Sequence, residues 1–315
     1  MTFRVTILGC SSARPIATRH HTAHVLNVHE QFFLIDSGEG TQYQLLRYGI
    51  NPLKINAIFI THLHGDHVYG IFGLLSTMSM MGRTRRLEII APHPFGEMLR
   101  SHFGFFGVEL PYPLDINEVD TRASGIDVWS NRVFSVSSLP LRHRVPCCGY
   151  LFREHEPSLN VHKHLVEGYG LTPDQIAVLK QGRDTTLANG APLTAREATY
   201  RPYTPRSYAF CSDTTPSGKV AALVEGVDLL YHESTYLHED KALAAKTGHS
   251  TALQAARIAR QANVRHLLLG HYSARYKSLA PLLDEARSEF PETLLGHDGL
   301  ALTIEKDHSL RVSRL

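Results

Sequence analysis

Short apolar, β-branched runs recur along the chain, and each stops on or just before a polar side chain of metal-ligand type. Ala57-Ile58-Phe59-Ile60-Thr61 runs into His62, and Phe134-Ser135-Val136-Ser137-Ser138-Leu139 leads toward His143. Tyr208-Ala209-Phe210-Cys211 leads to Asp213, and His266-Leu267-Leu268-Leu269-Gly270 leads to His271. Such runs, bounded by polar or glycine positions, predict strands. Side chains placed at strand ends converge on one edge of a sheet, so these four are expected to meet. The opening Met1-Thr2-Phe3-Arg4-Val5-Thr6-Ile7-Leu8-Gly9 reads as a first strand, not as a signal peptide.

Between the strands the period changes to that of a helix. Residues 66–81 carry Val68, Ile71, Phe72, Leu75 and Met78 at near-helical spacing. Thr251-Ala252-Leu253-Gln254 has the form of a capping box and opens a helix through Ala262; residues 281–290 give another. The alternation predicts an α/β layered architecture with helices outside the sheets. The pattern lapses between about 155 and 205, where apolar runs thin out, Lys163, Lys180 and Arg183 appear, and Thr172-Pro173-Asp174 marks a helix start. That stretch is read as an inserted arm within a single domain spanning 1–315.

Composition adds limits. With 315 residues, 43% of them hydrophobic and 20% charged, an ordinary buried core is expected. No stretch approaches the apolar length needed to cross a bilayer, so no membrane partner is expected and the default location is cytoplasmic. The cysteines Cys10, Cys147, Cys148 and Cys211 are scattered, and the adjacent pair suits neither a mutual disulfide nor a CxxC zinc site. They are expected to be reduced and mostly buried. A formal net charge of +2 does not announce a nucleic-acid binder, although it leaves room for a local basic patch. Arg83, Arg85 and Arg86 read as a solvated turn after a helix. The unusual count is 20 His, because neutral imidazole is a common ligand for zinc and other transition metals.

Spacing selects among them. In His62-Leu63-His64-Gly65-Asp66-His67, four ligand-type side chains fall within six residues directly after a strand. Packing does not explain such crowding, and metal binding does. The loop lets His62 and His64 face one ion while Asp66 and His67 turn toward a second. His143, Asp213 and His271 are the candidates to complete both sites.

This run, with the later His143, Ser212-Asp213-Thr214 and Gly270-His271, resembles the metallo-β-lactamase superfamily. Further motifs narrow the resemblance to the ribonuclease Z family of tRNA 3′-processing endonucleases. They are Leu8-Gly9-Cys10-Ser11-Ser12, Asp36-Ser37-Gly38-Glu39-Gly40-Thr41-Gln42, Tyr208-Ala209-Phe210-Cys211-Ser212-Asp213-Thr214, His232-Glu233-Ser234-Thr235, Gly248-His249-Ser250-Thr251 and Gly270-His271-Tyr272-Ser273-Ala274-Arg275-Tyr276. They span nearly the whole chain in family order.

The resemblance implies an αββα sandwich with a short inserted arm and both metals on one edge. Carried over by position, one zinc takes His62, His64 and His143, the other Asp66, His67 and His271, and Asp213 bridges them. That makes two Zn2+ per subunit, in ligands that also accept Mn2+ or another divalent ion. The implied reaction is metal-hydroxide attack on the phosphodiester after the tRNA discriminator nucleotide, with Asp66 orienting the hydroxide or taking its proton. It leaves a 3′-hydroxyl on the tRNA. His249 matches the family's catalytic histidine and is the expected general acid. The helix N-terminus behind it disfavours imidazolium, and Glu233 is the acid that would restore its pKa.

Ser273 and Arg275 are expected to contact phosphate, and Lys180 and Arg183 to contact RNA from the arm, which serves as a tRNA-docking exosite. The resemblance also implies a pre-tRNA substrate and a homodimer in which one subunit's arm serves the other's site. Two stretches depart from the family: residues 14–21 only approximate its Pro- and Arg-Asn-containing loop, and the arm lacks a Pro-Pro-Gly-Pro run. Asp36 and residues 38–41 read as a turn beneath the metal loop.

Two other readings stand beside this one. A metallohydrolase of the same fold acting on small phosphodiesters or sulfate esters would need no arm. A non-catalytic, metal-containing RNA-binding protein would need no acid–base pair, and the presence of Asp66 and His249 counts against it. A redox di-iron centre is disfavoured by His64, where the related motif carries Glu.

Overall fold

The computed structural model describes residues 1–315 and divides into two compact units. One comprises Met1–Arg153 with Arg206–Leu315, and the other Glu154–Pro205. In chain order the strands are β1 (Phe3–Gly9), β2 (Ala23–Val28), β3 (Gln31–Ile35), β4 (Ile55–Phe59), β5 (Leu87–Pro92), β6 (Leu114–Val119), β7 (Asp127–Ser130), β8 (Phe134–Pro140) and β9 (Cys148–Glu154). Four two-residue strands follow, β10 (Asn160–Val161), β11 (Thr185–Thr186), β12 (Pro192–Leu193) and β13 (Thr199–Tyr200). The last six are β14 (Ser207–Cys211), β15 (Leu229–Glu233), β16 (His266–Gly270), β17 (Thr293–Leu295), β18 (Leu300–Ile304) and β19 (Leu310–Arg314).

The larger unit holds two sheets. Eight strands run in the order β19-β18-β1-β2-β3-β4-β5-β6, and seven in the order β17-β16-β15-β14-β9-β8-β7. Alternation along each strand decides what packs where. Phe33, Ile35, Ala57 and Phe59 join Phe134, Phe152 and Tyr208 of the other sheet in one core, while Leu34, Ile58 and Ile60 turn the opposite way. The latter group packs with Ile71, Leu74 and Leu75 of helix Gly70–Met80 and with Phe95 and Leu99 of helix Phe95–Phe106. Phe59 sits edge-on to Tyr150 and Phe152, with ring centroids 5.2 Å away in each case. Full burial of such a ring contributes about 1.5–3 kcal/mol. Helix Ala252–Gln261 brings Ala255, Ala256 and Ala259 into the core that includes the second sheet. This is the αββα sandwich.

Two parallel stretches aim the site. β3 and β4 are parallel, with Ile35 opposite Phe59, so Asp36 and the Ile60-Thr61-His62 continuation leave neighbouring strand ends. β14, β15 and β16 are also parallel, with Cys211 opposite His232 and Glu233 opposite Gly270. Asp213, Glu233 and His271 therefore emerge side by side at carboxyl ends, the usual location of sites in parallel α/β sheets.

The helical spacing over 66–81 appears as two pieces, Gly65–Val68 and Gly70–Met80, separated at Tyr69. The break accompanies a close backbone approach: a Cβ on Gly70 would lie 2.1 Å from the Gly38 carbonyl oxygen, and Gly70 N–H donates to Ser37 O at 2.8 Å. The expected capping box is present, with Thr251 accepting from Gln254 N–H and the Gln254 side chain accepting from Thr251 N–H. The helix expected over 281–290 spans Ala280–Arg287. All four cysteines are free and buried. Arg83 corrects the expectation of a solvated basic turn. Its side chain is buried and its guanidinium donates to the carbonyls of Leu53, Ile55, Arg85 and Arg86, which makes it a tie between chain segments.

The smaller unit, Glu154–Pro205, pairs β10 with β13 and β11 with β12, both antiparallel. Helix Pro173–Lys180 starts on a complete capping box at Thr172. Its sparse apolar residues nevertheless gather, since Leu171, Leu179, Leu193, Ala195 and Ala198 form a small buried core. No helix of the chain is long and apolar enough to cross a membrane.

Candidate active site

The run after β4 and the loops after β8, β14 and β16 build two adjoining nests of ligand atoms. In the first, His62 Nε2 and His143 Nε2 each approach His64 Nδ1 to 3.2 Å. In the second, His67 Nε2 and Asp66 Oδ2 each lie 3.3 Å from His271 Nε2. Asp213 divides its carboxylate between them. Its Oδ2 is 3.6 Å from His62 Nε2 and 3.8 Å from His143 Nε2, while its Oδ1 is 3.4 Å from His67 Nε2 and 3.2 Å from His271 Nε2.

Four of the imidazoles have their other nitrogen occupied, which sets the tautomer. His67 Nδ1–H donates to Asp36 Oδ2 at 2.8 Å, and His143 Nδ1–H to Gly248 O at 2.8 Å. His271 Nδ1–H donates to Thr235 Oγ1 at 2.8 Å, because that hydroxyl gives its own proton to Glu233 Oε2 at 2.7 Å. His62 Nδ1 meets Thr61 Oγ1 at 3.1 Å, and that hydroxyl gives its proton to Asp36 Oδ2 at 2.9 Å. Each ring thus turns its Nε2 toward the nests. This is the outer support that fixes metal-binding histidines.

The electrostatics agree. Burial holds the His62 imidazole well below its ordinary pKa, with His67, His143 and His64 adding to the effect, so it stands neutral as a ligand must. Burial also lowers His64 and His143. Burial opposes the ionised form of Asp66, but His67 and His271 outweigh it and hold its carboxyl below the usual range. Burial likewise opposes charge on His67, yet Asp213, Asp66 and Asp36 overcome it and raise that pKa. The acidic surroundings attract positive charge. Asp213 Oδ1 is buried with no hydrogen-bond partner, an orphan that a cation would satisfy. The donor set of imidazole and carboxylate fits divalent transition metals, and the residues group as His62, His64, His143 and Asp213, then as Asp66, His67 and His271.

At the rim stands a pair of another kind. Glu233 is fully buried and accepts from Thr214 N, Thr235 N, Thr235 Oγ1 and Ser250 N, as well as from His249 Nδ1 at 2.9 Å. Burial opposes its charge, but His249 outweighs that and draws the carboxyl down to about 2. Burial also opposes charge on His249, while Glu233, helped by Asp213, raises it to about 9. His249 Nδ1 lies 3.9 Å from Asp213 Oδ2, which makes a ligand role geometrically open. That nitrogen is already committed to Glu233. A cavity of about 380 Å³ lies over the nests, with His64, Asp66, His143, Asp213, His249 and His271 in its wall beside Ser12, Ala13, Arg144 and Tyr236.

A family described as Anti-Pycsar protein Apyc1 matches residues 3–109, which include the His62–His67 run but none of His143, Asp213, His249 or His271. Longer alignments decide the matter. Ribonuclease Z of Parabacteroides distasonis is 40% identical over 302 residues, covering 96% of this chain and 99% of its own. The chain belongs to the ribonuclease Z family. The ribonuclease Z of Bacteroides fragilis is 39% identical over 302 residues, again covering 96% of this chain and 99% of its own. Among solved structures, the short form of human tRNase Z superposes with a TM-score of 0.69 at 24% identity, covering 96% of this chain and 99% of its own. A metallo-β-lactamase fold protein from Bacillus subtilis, YhfI, gives 0.67 at 18% identity, covering 96% and 100%. These superpositions show the metallo-β-lactamase fold. Ribonuclease Z enzymes are metal-dependent endoribonucleases, and the nests are His/Asp clusters that could bind a divalent metal.

Within this ribonuclease Z fold the structure brings His62, His64, Asp66, His67, His143, Asp213, Glu233, His249 and His271 together. It leaves Ser273 and Arg275 out of the cavity wall. Arg275 is held 3.0 Å from Asp240, with its guanidinium 5.2 Å from the centre of the Tyr236 ring. Lys180 and Arg183 are exposed in the Glu154–Pro205 unit, where Arg183 donates to Gln181. Sequence reasoning gave no role to Thr235, Thr61 or Arg144. It read Asp36 only as a turn. Asp36 does turn the chain, at φ 57°, but it also holds Thr61 and His67. The signal was present, because Asp36 too follows an apolar run, the Gln31–Ile35 strand.

Proposed function

We propose that this protein removes the 3′ trailer from pre-tRNA, with two Zn2+ per subunit in the nests described above. The observation that carries the reading is Asp213, whose two carboxylate oxygens face different nests while His249 is held by Glu233 beside them. Zinc is preferred because the set is rich in imidazole and leaves room for substrate. Two divalent ions in such nests would lower the pKa of water and stabilise the entering and leaving oxygens of an in-line displacement at phosphorus.

The chain's own residues do the rest. Asp66, held ionised, orients the attacking water through its carboxylate or takes a proton from it. Glu233 keeps a proton on His249, and His249 Nε2 delivers it to the departing 3′-oxygen as the ester bond breaks. The tRNA leaves with a 3′-hydroxyl and the trailer with a 5′-phosphate. The Glu154–Pro205 unit is assigned to tRNA docking through Lys180 and Arg183, in a homodimer where one subunit's arm serves the other's site.

The test is cleavage of a 3′-extended pre-tRNA by protein of measured metal content, with and without chelator. The expected result is a single cut after the discriminator nucleotide that chelation abolishes and zinc restores. Fully metallated protein that hydrolyses small phosphodiesters or sulfate esters but leaves pre-tRNA intact would establish the small-ester alternative instead.

A further inference from the structure

A second cavity, of about 440 Å³, adjoins the catalytic one, and His143 and Arg144 stand in the walls of both. Its lining carries four cationic side chains, Arg122, Arg142, Arg144 and Lys219, and no carboxylate. That is a marked local excess in a chain whose formal net charge is +2. All four are exposed, and no carboxylate pairs with their charged groups; Asp120 accepts only from the Arg122 backbone N–H. Several other surface arginines are matched to carboxylates. Arg86 is matched to Asp115, Arg257 and Arg260 to Glu289, and Arg275 to Asp240. Four like charges gathered without counter-charge repel one another, and an anionic ligand removes that cost.

The backbone that carries Arg142 and Arg144 is held in place beside His143. Arg142 N–H donates to Thr214 Oγ1 at 3.0 Å, and Thr215 N–H donates to Arg142 O at 2.9 Å, one residue before His143. Arg144 packs against the turn that carries His249. A Cβ on Gly248, at φ 77°, would lie 3.0 Å from His143 Nδ1 and 3.4 Å from both the Arg144 Cγ and N. A side chain at 248 would push Arg144 away from the junction of the cavities.

We infer that this basic cavity holds the phosphodiester backbone of single-stranded RNA adjoining the scissile phosphate, with Arg144 at the junction and Arg122, Arg142 and Lys219 beyond it. The inference rests on the proposed RNA cleavage at the nests and names where the strand runs beside them. A polymer bound at the metals continues out of the catalytic cavity, and this exit offers guanidinium forks that match phosphate. A small diester ends before reaching it. The cavity therefore favours a polymeric substrate over a small one.

The test compares the double variant Arg142→Gln/Lys219→Gln with wild type, both zinc-loaded, on 3′-extended pre-tRNA and on bis(p-nitrophenyl) phosphate. For pre-tRNA the variant should raise KM severalfold with kcat nearly unchanged. The slope of log kcat/KM against log salt should flatten by about 1.4, the share of two single-strand phosphate contacts. Hydrolysis of the small diester should be unchanged. Unaltered pre-tRNA kinetics and salt slope would overturn the inference, as would an equal loss on both substrates. If wild type cleaves the small diester but not pre-tRNA, it is the proposed activity that fails. The cavity is then judged by fluorescence anisotropy with a labelled single-stranded oligoribonucleotide: weaker binding by the variant upholds it, and equal binding overturns it.

Discussion

The ligand nests and the Glu154–Pro205 unit use polar side chains in opposite ways. In the nests every group is buried or half-buried, and four of the five imidazoles are held by a second group: Thr61 holds His62, Asp36 holds His67, Gly248 O holds His143, and Thr235 holds His271. In the smaller unit Lys180 and Arg183 are exposed, on a frame whose core is three leucines and two alanines. Buried, mutually supported polar groups leave one arrangement open to them, which preorganised chemistry requires. Exposed cations keep their freedom and act on a polyanion from a distance, with a strength set by salt. Changes in the first region should therefore remove turnover, and changes in the second should alter affinity.

The largest effect is expected at the shared carboxylate. Asp213→Ala takes a carboxylate from both nests at once, leaving His62 and His143 with no anion beside them and His67 and His271 with Asp66 alone. Zinc per subunit, measured by elemental analysis, should fall below two, and pre-tRNA cleavage should fall by more than the roughly 10–100-fold typical of losing an outer support. Two zinc ions retained with near-normal turnover would break the bridging assignment.

His249→Ala comes next. Loss of a general acid costs about 10²–10⁴-fold in rate, and here metal content should stay unchanged, since His249 Nδ1 is engaged by Glu233. Glu233→Gln should have a smaller effect with a distinctive pH signature. Glu233 raises the pKa of His249, and its negative charge is lost in the variant. His249 then gives up its proton at lower pH, so the alkaline limb of the kcat profile should move to lower pH. An unmoved limb would mean that another group supplies the proton. Asp36→Asn removes the carboxylate shared by Thr61 and His67 and should weaken metal affinity by about 10–100-fold. Competition with a chelator of known affinity measures it.

How much of this was legible beforehand follows the range of the interactions involved. The residues of the nests could be read because His62, His64, Asp66 and His67 crowd together and because the others follow apolar strands. The capping boxes at Thr172 and Thr251 are local, and both are present. What escaped depends on distant partners. Arg83 looked like part of a solvated basic run, but the carbonyls that receive its guanidinium include Leu53 and Ile55, roughly thirty residues away. Asp36 looked like a turn residue because its partner His67 lies 31 positions on. Leu171, Leu179 and Leu193 are too widely spaced to show a period, so only a thinning of apolar runs marked the place where a small core lies.

That core offers a sharper probe of the comparison. Leu179 is fully buried there, and Leu179→Ala should cost about 2–5 kcal/mol in a core of only five buried side chains. Limited proteolysis should cut within 154–205 sooner than in wild type. Zinc content and hydrolysis of bis(p-nitrophenyl) phosphate should be unaffected, while KM for pre-tRNA rises. A fall in small-diester hydrolysis would show that the two regions are not separable.

The smallest effect should come from the exposed cations themselves. Lys180→Gln/Arg183→Gln removes two charges without touching the buried leucines, so the unit should resist proteolysis as wild type does. If both side chains meet tRNA phosphates, the logarithm of affinity should lose about 0.9 of its dependence on log salt for each duplex phosphate contact. The deficit should therefore be clearest at low salt and shrink as salt screens what remains. Filter binding of pre-tRNA to the zinc-free protein, over a salt series, reads this without turnover. Parallel lines for variant and wild type would take both residues out of the RNA contact and leave the unit's grip, if it has one, to its backbone and apolar surface.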